Sequence, residues 1–108
     1  MAMHKQLAAG RWYELSLTEQ LANIGSEVER ALDFQKRKDD RVIPAFERSL
    51  DLFDLTLADV RLRGRYKEIA RTREVICDYF FGDNEYHSTQ ESLRGYFYSY
   101  FLAFAKNR

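Results

Sequence analysis

The sequence contains a single cysteine, Cys77, and that scarcity removes two kinds of chemistry. One cysteine makes no internal disulfide, and no CxxC or Cys/His cluster is present to hold structural zinc. Histidine is almost as rare. Neither His4 nor His87 has a glutamate three residues before it, so the Glu-x-x-His pairs of di-iron bundles are missing. No apolar run approaches membrane-spanning length, and the first residues lack the apolar core of a secretory signal. Charge of one sign is lacking too: 17 Lys and Arg balance 17 Asp and Glu. Zero net charge excludes a globally basic nucleic-acid binder, though not a local basic patch. It also removes the repulsion that keeps copies of a chain apart. There is one proline, no internal repeat and no low-complexity tract. A chain of 108 residues with this balance reads as one cytoplasmic domain over 13–108, preceded by a flexible leader over 1–12.

What is present is helical periodicity. Ser16-Leu17-Thr18-Glu19 is a capping box, after which Leu17, Leu21, Ile24, Val28, Ala31 and Leu32 recur at helical spacing. Trp12 and Tyr13 precede it as a potential hydrophobic plug. Pro44 suits the first turn of a second helix, with Phe46, Leu50, Phe53, Leu57 and Val60 as its seam. A third stripe runs through Leu62, Tyr66, Ile69, Arg73, Ile76 and Phe80 to a stop at Gly82. A second capping box, Ser88-Thr89-Gln90-Glu91, opens the last helix. No segment has strand periodicity. The spacing predicts an all-α, antiparallel four-helix bundle with helices near 16–38, 44–60, 62–81 and 88–106. Its expected core adds Tyr100 and Phe104 to Leu21, Ile24, Val28, Phe46, Leu50, Phe53, Leu57, Tyr66, Ile69, Ile76, Phe80 and Phe97.

The last helix is the most unusual. Six aromatics fall between Tyr96 and Phe104. Leu93, Tyr96, Phe97, Tyr100, Phe101 and Phe104 share one face, and Tyr98, Leu102 and Ala105 extend it. One core needs a narrower stripe. Tyr98, Phe101, Leu102 and Ala105 are therefore the expected interface of a homo-oligomer, most simply a dimer.

Three charged features invite function. Arg73 interrupts its apolar stripe, and Glu27 or Asp54 is its expected partner in a buried structural ion pair. Binding of an anionic ligand, or a tilted stripe that lets Arg73 reach water, are the alternatives. Arg61, Arg63, Arg65, Lys67 and Arg71 form the one basic stretch, set against the helix dipole. It meets either acidic surface within an assembly or the phosphates of a nucleic acid. Glu47, Asp51 and Asp54 line one side of the second helix and read as a solvated acidic face with no metal; the alternative is a Mg²⁺ or Mn²⁺ site, which carboxylates at such spacing can form. Cys77, beside a core position with no histidine near it, reads as a small hydrophobe, not a nucleophile.

Two resemblances follow from these residues. Glu47-Arg48-Ser49-Leu50-Asp51 is similar to the ExxxD half of the signature of MazG-type nucleoside triphosphate pyrophosphohydrolases. That likeness implies a four-helix core and a Mg²⁺ cluster acting on nucleotide phosphates, but the ExxE half is absent. The strings LSLTEQLANIGSEVERA, FERSLDLFDLTLAD, RGRYKEIARTREVICDYF and GDNEYHSTQESL resemble a small prokaryotic helical-bundle family with no assigned activity. By fold alone, the general shape is similar to small bundle proteins that assist reverse transcriptases or sit within ribosomal RNA genes. The resulting expectation is a non-catalytic interaction or scaffold protein with no cofactor, whose partner is itself. A nucleic-acid accessory module and a Mg²⁺-dependent pyrophosphohydrolase stand as alternatives.

Overall fold

The computed structural model describes the backbone of residues 10–106 and the side chains as far as Leu102. Four helices make an antiparallel bundle: α1 (Leu17–Lys36), α2 (Val42–Leu57), α3 (Tyr66–Phe81) and α4 (Gln90–Lys106). Two short 3-10 segments, Arg11–Glu14 and Val60–Arg65, precede α1 and α3. No strand occurs among the described residues.

Local chemistry sets the boundaries. Ser16 Oγ accepts from Glu19 N, and Glu19 Oε1 accepts from Ser16 N, so the first capping box is formed. α1 ends where Lys38 turns to a φ of 56°. α2 begins two residues before Pro44, which sits in the first turn, where a missing amide costs nothing. Beyond α2, Asp59 is extended and its carboxylate accepts from Arg61 N, capping the second 3-10 segment. At α4 the box shifts by one residue: Thr89 N donates to Ser92 Oγ, and Ser92 N donates to Thr89 Oγ1.

α1 is the central helix. It packs along α2 on one side and α4 on the other, while α3 lies on α2. The close approach of α4 depends on Gly25. A Cβ there would stand 2.8 Å from Phe101 Cζ and 2.9 Å from Phe97 Cβ. Leu21, Ile24, Val28, Phe46, Phe53, Ile69, Ile76 and Phe97 are buried as the periodicity predicts.

Several expected core positions need correction. Tyr66 is 51% exposed. The 3-10 segment has three residues per turn, so the stripe begun at Leu62 does not continue to Tyr66. Leu62 takes the buried place instead. On α2 the buried face is Ala45, Phe46, Ser49, Leu52, Phe53 and Thr56, leaving Leu50 and Leu57 half-buried and Val60 exposed. The helix is rolled toward α1, bringing small residues to the contact. Phe80 and Tyr100 are half-buried, and the Phe104 side chain lies outside the described residues.

The domain also begins earlier than its caps suggest. Trp12, assigned above to the leader, is 3% exposed and belongs to the core. Burying so large a side chain stabilises a fold by about 1.5–3 kcal/mol or more. Arg11, also in the expected leader, opens the first 3-10 segment after Gly10, and residues 1–9 lie outside the described residues.

Candidate functional site

The expected ion pair forms, but differently. Arg73 Nε lies 2.9 Å from Asp54 Oδ1, and an Nη donates to Oδ2 at 3.3 Å. The Nε–H is not aligned for a hydrogen bond, so that approach is charge attraction alone. The side chains are 31% and 58% exposed, so this is a half-exposed bridge between α2 and α3, not a buried pair. Ile69, Thr72 and Ile76 carry the core stripe of α3, which passes beside Arg73. Glu27 is not its partner. Glu27 accepts from Arg48 Nε across α1 and α2 at 3.2 Å, and from Arg30 on its own helix. A further bridge ties Arg94 of α4 to Glu29 of α1 at 2.8 Å.

The basic stretch is largely neutralised inside the chain. Arg61 donates through Nε to Asp59 and through Nη2 to the carbonyls of Tyr13 and Leu15. Its guanidinium holds the Asp59 carboxyl down at about 2. Arg65 donates to Glu68 at 2.8 Å and also to Tyr100 Oη. That contact holds the Glu68 carboxyl below its usual range. Arg71 stands 3.5 Å from Glu74 and lies over the Tyr86 ring. Only Arg63 and Lys67 lack a carboxylate partner among the described residues of the stretch. Lys67, Arg71 and Arg73 line an open hollow of about 620 Å³ beside Tyr66 and Cys77. Burial pushes the Cys77 thiol up, which favours the inert protonated form.

Glu47, Asp51 and Asp54 line a second hollow of about 430 Å³ on the outer side of α2, with Arg73 at its edge. They do not converge into a metal-holding group, and no such group of three His, Cys, Asp or Glu occurs among the described residues. Asp54 is already engaged by the Arg73 cation.

On α4 the expected interface divides. Leu93 and Phe97 turn inward, and Phe101 is half-buried with its ring against Gly25. Phe101 therefore contributes to the core with part of its surface left accessible. Tyr98 and Leu102, one turn apart, are 61% and 50% exposed. The Ala105 side chain lies outside the described residues. No helix among the described residues is long and apolar enough to cross a membrane.

Two arrangements had little signal in the sequence. The first is a buried polar network. Trp12 Nε1 donates to Thr56 Oγ1, Thr56 donates to Gln20 Oε1, and Gln20 Nε2 donates to Asp59 and to the Trp12 carbonyl. The second is an apolar groove of about 390 Å³ between α3 and α4. Its floor is Ile76, Leu93 and Phe97, and its walls include Val75, Thr72 and Tyr96. Glu68 and Arg71 also line it, as does Ser88 from the loop after α3, which is pinned where Asp78 accepts from the amides of Glu85 and Tyr86.

The chain matches no protein-family model, no curated protein and no solved structure. The geometry itself defines an all-α bundle with an apolar strip on α4, a largely self-neutralised basic stretch and an interhelical groove.

Proposed function

We propose that this chain is a non-catalytic interaction or scaffold protein that acts as a homo-oligomer, with the outer face of α4 in its interface. One observation carries this reading: Tyr98 and Leu102 stand exposed on adjacent turns of a helix whose opposite side already fills the core. Tyrosine suits such a contact, because its ring buries area while its hydroxyl finds a partner at the rim. Zero net charge favours association. A cytoplasmic location goes with this reading, since the fold needs no oxidised cysteine. Light scattering after size exclusion tests it. A defined oligomer is expected, dissociated by Tyr98→Glu or Leu102→Glu. A monomer of about 12.8 kDa, unchanged by either substitution, would overturn the reading.

A second reading is favoured by the hollow on α3, where Lys67, Arg71 and Arg73 flank the exposed ring of Tyr66. Cations beside a stacking surface suit single-stranded nucleic acid. Binding would weaken steeply with salt and with Lys67→Glu. Absence of RNA or DNA binding at low salt removes this reading.

A further inference from the structure

We propose that a second copy of this chain docks on the outer face of α4 with its own α4 antiparallel, each Leu102 seated over the other copy's Gly95. The proposal rests on the homo-oligomer reading above and adds the direction and register of the contact. Glu91, Gly95, Tyr98 and Leu102 recur at steps of four, three and four, and all are exposed. That spacing sets them on one stripe, on the side of α4 away from the buried Leu93 and Phe97.

Gly95 is the hole in this stripe. It lies inside α4 without a positive φ, and a Cβ built on it meets nothing within 4 Å among the described residues. Glycine weakens a helix relative to alanine, and no contact among the described residues offsets that loss here. Gly25 is the contrast, since its missing Cβ admits Phe97 and Phe101. At Gly95 the space opens outward. Leu102, 50% exposed, is the knob that fits it. Seven positions separate knob and hole, about 10 Å along the axis, so one chain cannot join its own two parts.

A two-fold axis passing between positions 98 and 99 joins them twice. It seats each Leu102 over the other copy's Gly95 and each Tyr98 beside the other's Ser99. It also sets Glu91 opposite Lys106, the last residue of α4 and of opposite charge. Glu91 is in no ion pair among the described residues. A parallel pair would set Glu91 against Glu91, align the two helix dipoles and leave both Gly95 holes empty. Charge complementarity therefore selects the antiparallel pair.

Isotope-filtered NOE spectra and light scattering test the register. In a mixture of labelled and unlabelled natural chain, contacts between copies should join the Leu102 methyls to the Gly95 Hα. Gly95→Leu fills the hole and should weaken self-association roughly tenfold or more. The same change should raise the melting temperature of the dilute monomer, because leucine favours the helix. Gly95→Leu combined with Leu102→Gly exchanges knob and hole and should recover most of the lost affinity. Contacts between the two Leu102 side chains overturn the antiparallel register and leave the homo-oligomer reading standing. So does an oligomer that Tyr98→Glu dissociates but Gly95→Leu leaves intact. A natural chain that stays monomeric up to millimolar concentration overturns both.

Discussion

Thr56 and Gln20 meet in the interior between α1 and α2, where Thr56 Oγ1 donates to Gln20 Oε1 at 2.9 Å and accepts from Trp12 Nε1 at 3.1 Å. Both residues are fully buried, so neither has water to fall back on. Thr56→Val keeps the shape and strips the hydroxyl, leaving an indole N–H and an amide oxygen unpaired. Each orphaned group costs about 1–3 kcal/mol. The expected loss is roughly 2–4 kcal/mol in urea unfolding. Trp12 is the only tryptophan, so its emission reports directly on this site. An unchanged urea midpoint would show that the network adds nothing to stability.

Acid should weaken the same region. The Asp59 carboxyl lies at about 2 in the fold against 3.8 without it, because Arg61 and Gln20 hydrogen-bond its charged form. A depressed carboxyl contributes stability that is complete above the unfolded value. That contribution is lost as pH falls from about 4 through about 2. Arg61 is half exposed, so screening limits the contribution to roughly 1–2 kcal/mol. Urea midpoints measured at pH 5 and at pH 2.5 should fall further in the natural chain than in Asp59→Asn. Equal falls in the two proteins would refute the assignment to Asp59.

Gly25→Ala sets helix propensity against packing. Alanine favours the helix by about 1 kcal/mol. Its methyl, however, would meet Phe97 Cβ at 2.9 Å, and a Cβ fixed on α4 cannot swing aside as a ring end can. Overpacking costs about 1–3 kcal/mol. The net expectation is a lower melting temperature, together with shifted resonances along α4. A higher melting temperature would mean that α4 moves away at no cost.

Asp54→Ala separates a surface bridge from a buried one. Half-exposed pairs contribute about 1 kcal/mol or less, while breaking a buried pair costs about 3–5 kcal/mol. With both side chains reaching solvent, chemical denaturation should show the smaller figure. A loss above about 3 kcal/mol would restore the buried-pair reading.

The helices were legible because large apolar residues recur at helical spacing and two capping segments mark their starts. The rolled face of α2 was not, because Ala45, Ser49 and Thr56 carry little hydrophobic weight, yet their small size brings α1 close. Ser49 answers its own burial by donating to the Phe46 carbonyl. Gln20 is polar, so its type gives no sign of burial; that depends on Thr56 and Asp59, far away in sequence. Arg73 falls at stripe spacing but stands at the edge, because the buried face of α3 runs through Ile69, Thr72 and Ile76. The α3–α4 groove had no sequence signal, since a gap is set by how two helices diverge and not by either one alone.

Trp12 pairs with a residue 44 positions further along, and Arg61 clasps the carbonyls of Tyr13 and Leu15 from 48 and 46 positions away. The segment before α1 therefore cannot reach its place until α2 and the turn beyond it exist. On a growing chain, this stretch is made before α1 and α2 yet settles after them. Until then the α1–α2 hairpin carries an unfilled notch at its open end. The order in which this fold closes runs against the order in which its residues are joined.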